Sequence, residues 1–219
     1  TGCSLPALMS KTLLLMHDGK HTRPDGLRNH LERLGFASVI IDNGTQRGDI
    51  DYNIADDSFF ASLLLRASSG EFLAVISLPA SATWAGSSAQ HGRTRAHPSG
   101  TTAHPVSYLG IRSDTILARS AAIITAASTA GSQYLLSAPA DRGNSRFPTL
   151  LINDSHVAML DAPAVVALRA NTGGTDIVIA KCIVAGEGER LAVGLAGSGS
   201  SGGNCRSLGG RYGISDSSK

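Results

Sequence analysis

Aromatic residues are scarce in this chain, 5% of 219 residues with a single tryptophan. A core with so few large anchors must be filled by Ala, Val, Ile and Leu, within an apolar content of 42%. Charge of one sign is also missing. Lys and Arg exceed Asp and Glu by 19 − 17 = 2, too little for a long-range field that would by itself imply nucleic acid or a membrane surface. No apolar run approaches the ~18–20 residues of a membrane-spanning helix. Residues 1–9 lack the basic start and apolar stretch of a signal peptide. Without an initiator Met, the chain is expected to be processed or a piece of something longer. Cys3, Cys182 and Cys205 are odd in number and far apart, which argues against a disulfide framework and a four-thiolate zinc site. The expectation is a soluble globular domain from an intracellular, reducing compartment. At this length one compact body buries roughly two-thirds to three-quarters of its unfolded surface, enough without staples.

What is present is a regular alternation. Thr12–Met16 is a short apolar run stopped at His17-Asp18-Gly19, the pattern of a buried strand and turn. Leu27, His30, Leu31 and Leu34 recur at helical spacing, and Gly35 is placed to end that helix in the left-handed conformation. Further strands are expected at 38–42, 72–78, 133–137, 176–182 and 191–195. Asp56-Asp57-Ser58 reads as a cap for a helix carrying Phe59, Phe60, Leu63 and Leu64. Ser113-Asp114 reads as the cap of another, with Gly131 as its stop, and a further helix covers 162–170. Residues 80–112 show no lasting periodicity and read as a long loop, functional or disordered. Residues 1–11 form an N-terminal extension, 12–196 the domain, and 197–219 a Gly/Ser-rich tail.

Strands apolar throughout, separated by helices, predict an α/β fold with a mostly parallel, three-layer Rossmann-like sheet. Ligands in such sheets bind beyond the carboxyl ends of the strands, near the switch point. Asp42 closes the second strand, where a carboxylate can accept ribose hydroxyls or can equally form a turn with Asn43-Gly44. Gly197-Ser198-Gly199-Ser200-Ser201-Gly202 fits G-x-G-x-x-G, but no helix follows to face a pyrophosphate. The overlapping G-x-S-x-G match at 199–203 fails as a hydrolase elbow for the same reason. His91, His97 and His104, with Arg93 and Arg95 between them, lack metal-ligand spacing and read as a solvated basic loop able to touch phosphate.

Three segments, in order, carry a resemblance: 14–19 with Arg23-Pro24-Asp25-Gly26-Leu27, then 74–84 through Leu78-Pro79-Ala80-Ser81, then Ser137-Ala138-Pro139-Ala140-Asp141-Arg142-Gly143. Together they resemble the cytosine-specific (carbon-5) DNA methyltransferase-like domains, in a divergent branch found in algal genomes and mobile elements. The similarity spans about residues 13–195. It implies a sheet that binds S-adenosylmethionine, with Asp18, Gly19 and Pro79 at the cofactor loops. It also implies Asp42 on the ribose, and Asn53 where an acidic residue usually meets the adenine. The family's nucleophilic cysteine falls at Ser81 and its glutamic acid at Ser137, so nucleophile and acid are both missing. A serine hydroxyl is largely protonated at neutral pH and attacks poorly without an adjacent base. Cys182 ends an apolar strand and reads as a buried thiol, and Arg190 as a cation kept at the ligand edge. The resemblance therefore implies a pseudo-methyltransferase, with S-adenosylmethionine binding weak or lost. Its partners would be nucleic acid or other protein subunits of a larger assembly, and no membrane span is expected. Two alternatives stay open: an active nucleic-acid methyltransferase using other catalytic groups, and a nucleoside-cofactor-binding sensor.

Overall fold

Short apolar runs become strands where a turn-forming residue stops them, and the helices between are set by their caps. A computed structural model describes residues 12–17, 27–41, 53–79, 83–84, 88–139, 157–181 and 190–198. The strands are β1 (Thr12–Met16), β2 (Ala37–Ile41), β3 (Ala74–Ser77), β4 (Gln133–Pro139), β5 (Thr175–Lys181) and β6 (Arg190–Ser198). The helices are α1 (Leu27–Arg33), α2 (Asp57–Ser68), α3 (Tyr108–Thr129) and α4 (Pro163–Thr172). The six strands form one sheet in the order β2-β1-β3-β4-β6-β5. β1 to β4 are all parallel, and β6 runs antiparallel to both β4 and β5. This is a mixed α/β architecture compatible with a Rossmann-like fold.

Register decides what is buried. Leu14 lies between Val39 and Val75, and Met16 between Ile41 and Ser77. Leu14, Met16, Ile41, Val75 and Leu136 join one core with Leu63 and Ala67 of α2, Leu117, Ile124 and Ala127 of α3, and Val165 and Leu168 of α4. Leu13 and Leu15 are buried too, on the opposite face by the two-residue period of a strand. Trp84 joins the core from just beyond β3, alongside the buried aromatics Phe72 and Tyr134.

Three expectations are corrected. α3 begins at Tyr108, not after Ser113-Asp114, because Ser107 caps it by accepting the Gly110 N–H at 3.2 Å. The early turn carries no apolar stripe, since Tyr108, Leu109 and Ile111 are exposed, and periodicity could not reveal it. The stretch 80–112 is accordingly no continuous loop: residues 88–91 form a 3-10 turn and 108–112 are helical. Gly197 and Ser198 belong to β6 rather than to a tail, opposite Tyr134 and Gln133; their low strand propensity hid them, and the β4 ladder overrides it. Gly35 and Gly131 stop their helices at φ +83° and +99°, as the sequence predicts.

Gly110 has a packing reason as well. A Cβ there would run into Val106 Cγ1, a stiff β-branched neighbour. Gly110→Ala should lower stability by about 1–3 kcal/mol, and Val106→Ala in the same chain should recover part of it, both read by urea unfolding.

The α2 start has a pH signature. Asp56 accepts the Ser58 hydroxyl at 2.6 Å and the Phe59 N–H at 2.9 Å, and these bonds, the serine's first, hold its carboxyl below the usual value. At the other end, hydrogen bonding from Arg66 holds Glu71 low. A carboxylate with a lowered folded pKa stabilises fully above its unfolded value and loses that contribution as pH falls through the folded one. Thermal stability should therefore stay level from about pH 7 to pH 5 and decline below about pH 4. Asp56→Asn, which still caps, should make that acid decline shallower in thermal melts.

Candidate functional site

The carboxyl ends of the parallel strands converge where β1 and β3 lie side by side while their connections depart in opposite directions. That is the switch point at which such sheets hold ligands. β1 continues one residue further, His17 donating its N–H to the Ile41 carbonyl at 2.7 Å. His17 then takes φ +67°, the one described non-glycine residue in the left-handed region, a conformation costing roughly 1–2 kcal/mol. In a continued strand its ring would face away from Met16. The left-handed turn instead brings Nε2 to 3.2 Å from Oγ of Ser120 on α3, which is fully buried.

Ser77 ends β3 on the same sheet face as its register partner Met16. It is wholly buried, and its Oγ has no hydrogen-bond partner. A buried hydroxyl left unsatisfied costs about 1–3 kcal/mol. Pro79 is buried two residues on, after Leu78 donates to the Met16 carbonyl at 2.9 Å. Ser137 is half-buried in β4 opposite Gly194. It follows Leu136, the register partner of Ser77, and so faces the other side of the sheet. Asn53 is half-buried before α2, its Oδ1 accepting the Ala55 N–H at 3.0 Å. Arg119 of α3 ties that turn down, donating to the Ile54 carbonyl at 3.0 Å and pairing with Asp57. Pro79 and Ser137 thus stand at the carboxyl ends of neighbouring strands, with Asn53 in the turn that leads into α2. Asp18, Gly19, Asp42 and Ser81 lie outside the described residues, as do Cys182 and positions 199–203.

The basic segment is not uniformly solvated. Arg93 is buried, its side chain 0% exposed. Its guanidinium donates to the Thr83 carbonyl at 3.0 Å, the Pro98 carbonyl at 2.7 Å, the Gly110 carbonyl at 3.0 Å and Asp114 Oδ1 at 2.7 Å. It stacks 3.6 Å from the Trp84 ring, whose N–H in turn reaches Ser113 Oγ at 3.2 Å. Desolvation of a cation is offset here by a carboxylate, three carbonyls and an aromatic face. The segment after β3 is thereby fastened to the first two turns of α3. The sequence carried a faint sign of it: no carboxylate stands between Glu71 and Asp114, so Asp114 was the nearest acid downstream. His91 is also engaged, Nδ1 lying 2.8 Å from Ser107 Oγ, while His97 and His104 are exposed. Among the described residues no group of His, Cys, Asp or Glu is placed to hold a metal ion, and no helix is long and apolar enough to cross a membrane.

Arg93→Ala strands three carbonyls and a carboxylate, and should cost on the order of 3 kcal/mol. Arg93→Lys should recover little of it, because an ammonium lacks the planar fork. Asp114→Asn should cost less, since Asp114 is partly exposed. Chemical denaturation of the three variants gives the ranking, and equal stability of Arg93→Lys and the native chain would contradict it.

Comparison with protein-family models, with curated proteins and with solved structures gave no match to this chain.

Proposed function

We propose that this domain is built on a methyltransferase-like sheet, does not methylate cytosine, and works as a binding or structural module within a larger assembly. The observation that carries the reading is the strand order. Four parallel strands turn at β1/β3, and the last strand, reversed, is inserted between β4 and β5. An all-parallel sheet has no such strand, and a parallel four-stranded body flanked by helices is compatible with the Rossmann-like sheet that the resemblance implies. Right-handed crossovers place α1 on the face opposite α2, α3 and α4, giving three layers.

The chemistry speaks against turnover. Carbon-5 methylation needs a nucleophile to add to carbon 6 of a flipped-out cytosine while an acid steadies the ring. Ser81 and Ser137 stand at those two positions. A hydroxyl cannot supply an appreciable anion at neutral pH unaided, and Ser137 carries no carboxyl. The residues fit S-adenosylmethionine poorly as well. Asn53 is neutral, and its acceptor oxygen is already used by Ala55. In the resemblance His17-Asp18 stand in place of a Phe-Ser pair before Gly19, and Asp18 would repel the cofactor's carboxylate by roughly 1 kcal/mol.

Tritiated methyl transfer to cytosine-containing duplex DNA tests this directly. The native chain should match a no-protein control, and Ser81→Cys alone should remain inactive, since losing one positioned group costs on the order of 10²–10⁴ in rate. Turnover by the native chain would establish an active enzyme. Tight S-adenosylmethionine binding by calorimetry, without turnover, would establish the sensor.

A further inference from the structure

The first turn of α3 is apolar and faces solvent. Tyr108, Leu109 and Ile111 are 77%, 58% and 57% exposed, while Gly110 between them is buried against Val106 and Arg93. Helical rise puts Tyr108 about 18 Å along α3 from Ser120, the residue that touches His17. The turn therefore projects beyond the carboxyl edge of the sheet. Its neighbours are fixed: the Ser107 N–H donates to the His91 carbonyl at 3.1 Å, and Arg93 grips Gly110 and Asp114. Three large apolar side chains on a rigid turn form a patch of the few hundred Å² that marks interaction sites on soluble domains.

Charge selects the occupant. Between Glu71 and Asp114 the chain has no carboxylate, and the Asp114 carboxylate is taken by Arg93. Arg112 lies one turn from Tyr108 on the same side, and the exposed His97 and His104 belong to the segment that packs on this turn. A second copy of the chain would bring Arg112 toward Arg112 across a two-fold contact, an unfavourable pairing. Nucleic-acid interfaces are polar, and exposed Leu109 and Ile111 offer phosphate nothing. Resting on the binding-module reading, we propose that the Tyr108–Ile111 turn with Arg112 docks an acidic, amphipathic helical segment of a partner protein, leucine-type side chains on the patch and carboxylates toward Arg112.

The probe is a fluorescein-labelled synthetic helix with glutamates on one face and leucines on the other, titrated into the full chain by fluorescence anisotropy. Binding should weaken with added salt and fall about tenfold or more in Leu109→Glu/Ile111→Glu, as for loss of a buried anchor. Arg112→Gln should weaken it less, and a lysine-for-glutamate version of the helix should not bind. Both variants alter exposed or half-exposed positions, so their melting temperatures should match the native chain. Four results would overturn the assignment: no binding by the native chain, equal binding by the double variant, tighter binding of a single-stranded oligonucleotide, or concentration-dependent dimerisation abolished by the double variant. Methyl transfer by the native chain would remove the binding-module reading without changing these titrations, so the two fail separately.

Discussion

A buried guanidinium organises the part of this molecule that sequence periodicity leaves blank. Arg93 is fully buried, where a cation is costly without protein acceptors, and the acceptors it finds come from Thr83, Pro98, Gly110 and Asp114. These lie on three separate stretches between residues 83 and 114. Trp84 closes the assembly by stacking on the cation while its own N–H is held by α3. A chain with few aromatics thus spends its one tryptophan on covering a charge as well as filling the core. The cost of burying that charge is what fixes the segment: any rearrangement that frees Arg93 strands several polar groups together.

The sheet poses the opposite problem, an apolar interior with small polar exceptions at one end. Ser77, Ser120 and the ring of His17 collect where β1 and β3 finish, and the left-handed backbone at His17 is what turns the ring to that side. A left-handed non-glycine residue and an unpartnered hydroxyl, that of Ser77, meet at this edge, while the other described buried hydroxyl without a partner, that of Ser38, lies near the start of β2. Their position is the carboxyl edge at which parallel sheets hold ligands.

Strand positions were legible because each is a contiguous apolar run, and all six fall within two residues of expectation at their starts. Parallel pairing of the first four was legible for the same reason, since strands buried on both faces do not alternate. The reversed β6 was not, because strand direction leaves no trace in apolar content. Asp56 announced its cap through the Asp-Asp-Ser triplet. Ser107 did not, because the turn it starts puts Tyr108, Leu109 and Ile111 outward and Gly110 inward, the reverse of a core-facing pattern. The burial of Arg93 is not legible because three of its acceptors are backbone carbonyls, which every residue carries and composition cannot single out. Pro79 and Ser137 are read from the strand-end rule for parallel sheets, whereas Asn53, and the role of each, comes from the resemblance alone.

The insertion of β6 between β4 and β5 has a consequence for how the sheet is assembled. β5 is hydrogen-bonded to none of the strands β1 to β4 and joins them only through β6, which is made after it. As the chain leaves the ribosome, β1 to β4 can zip together while β5 waits with both edges open. Only when residues 190–198 arrive can they bridge β4 and β5 at once. The closing step joins β4 to a strand more than fifty residues downstream, a non-local contact of the kind that slows folding. Until then β5 and the outer edge of β4 are exposed templates for the wrong strand.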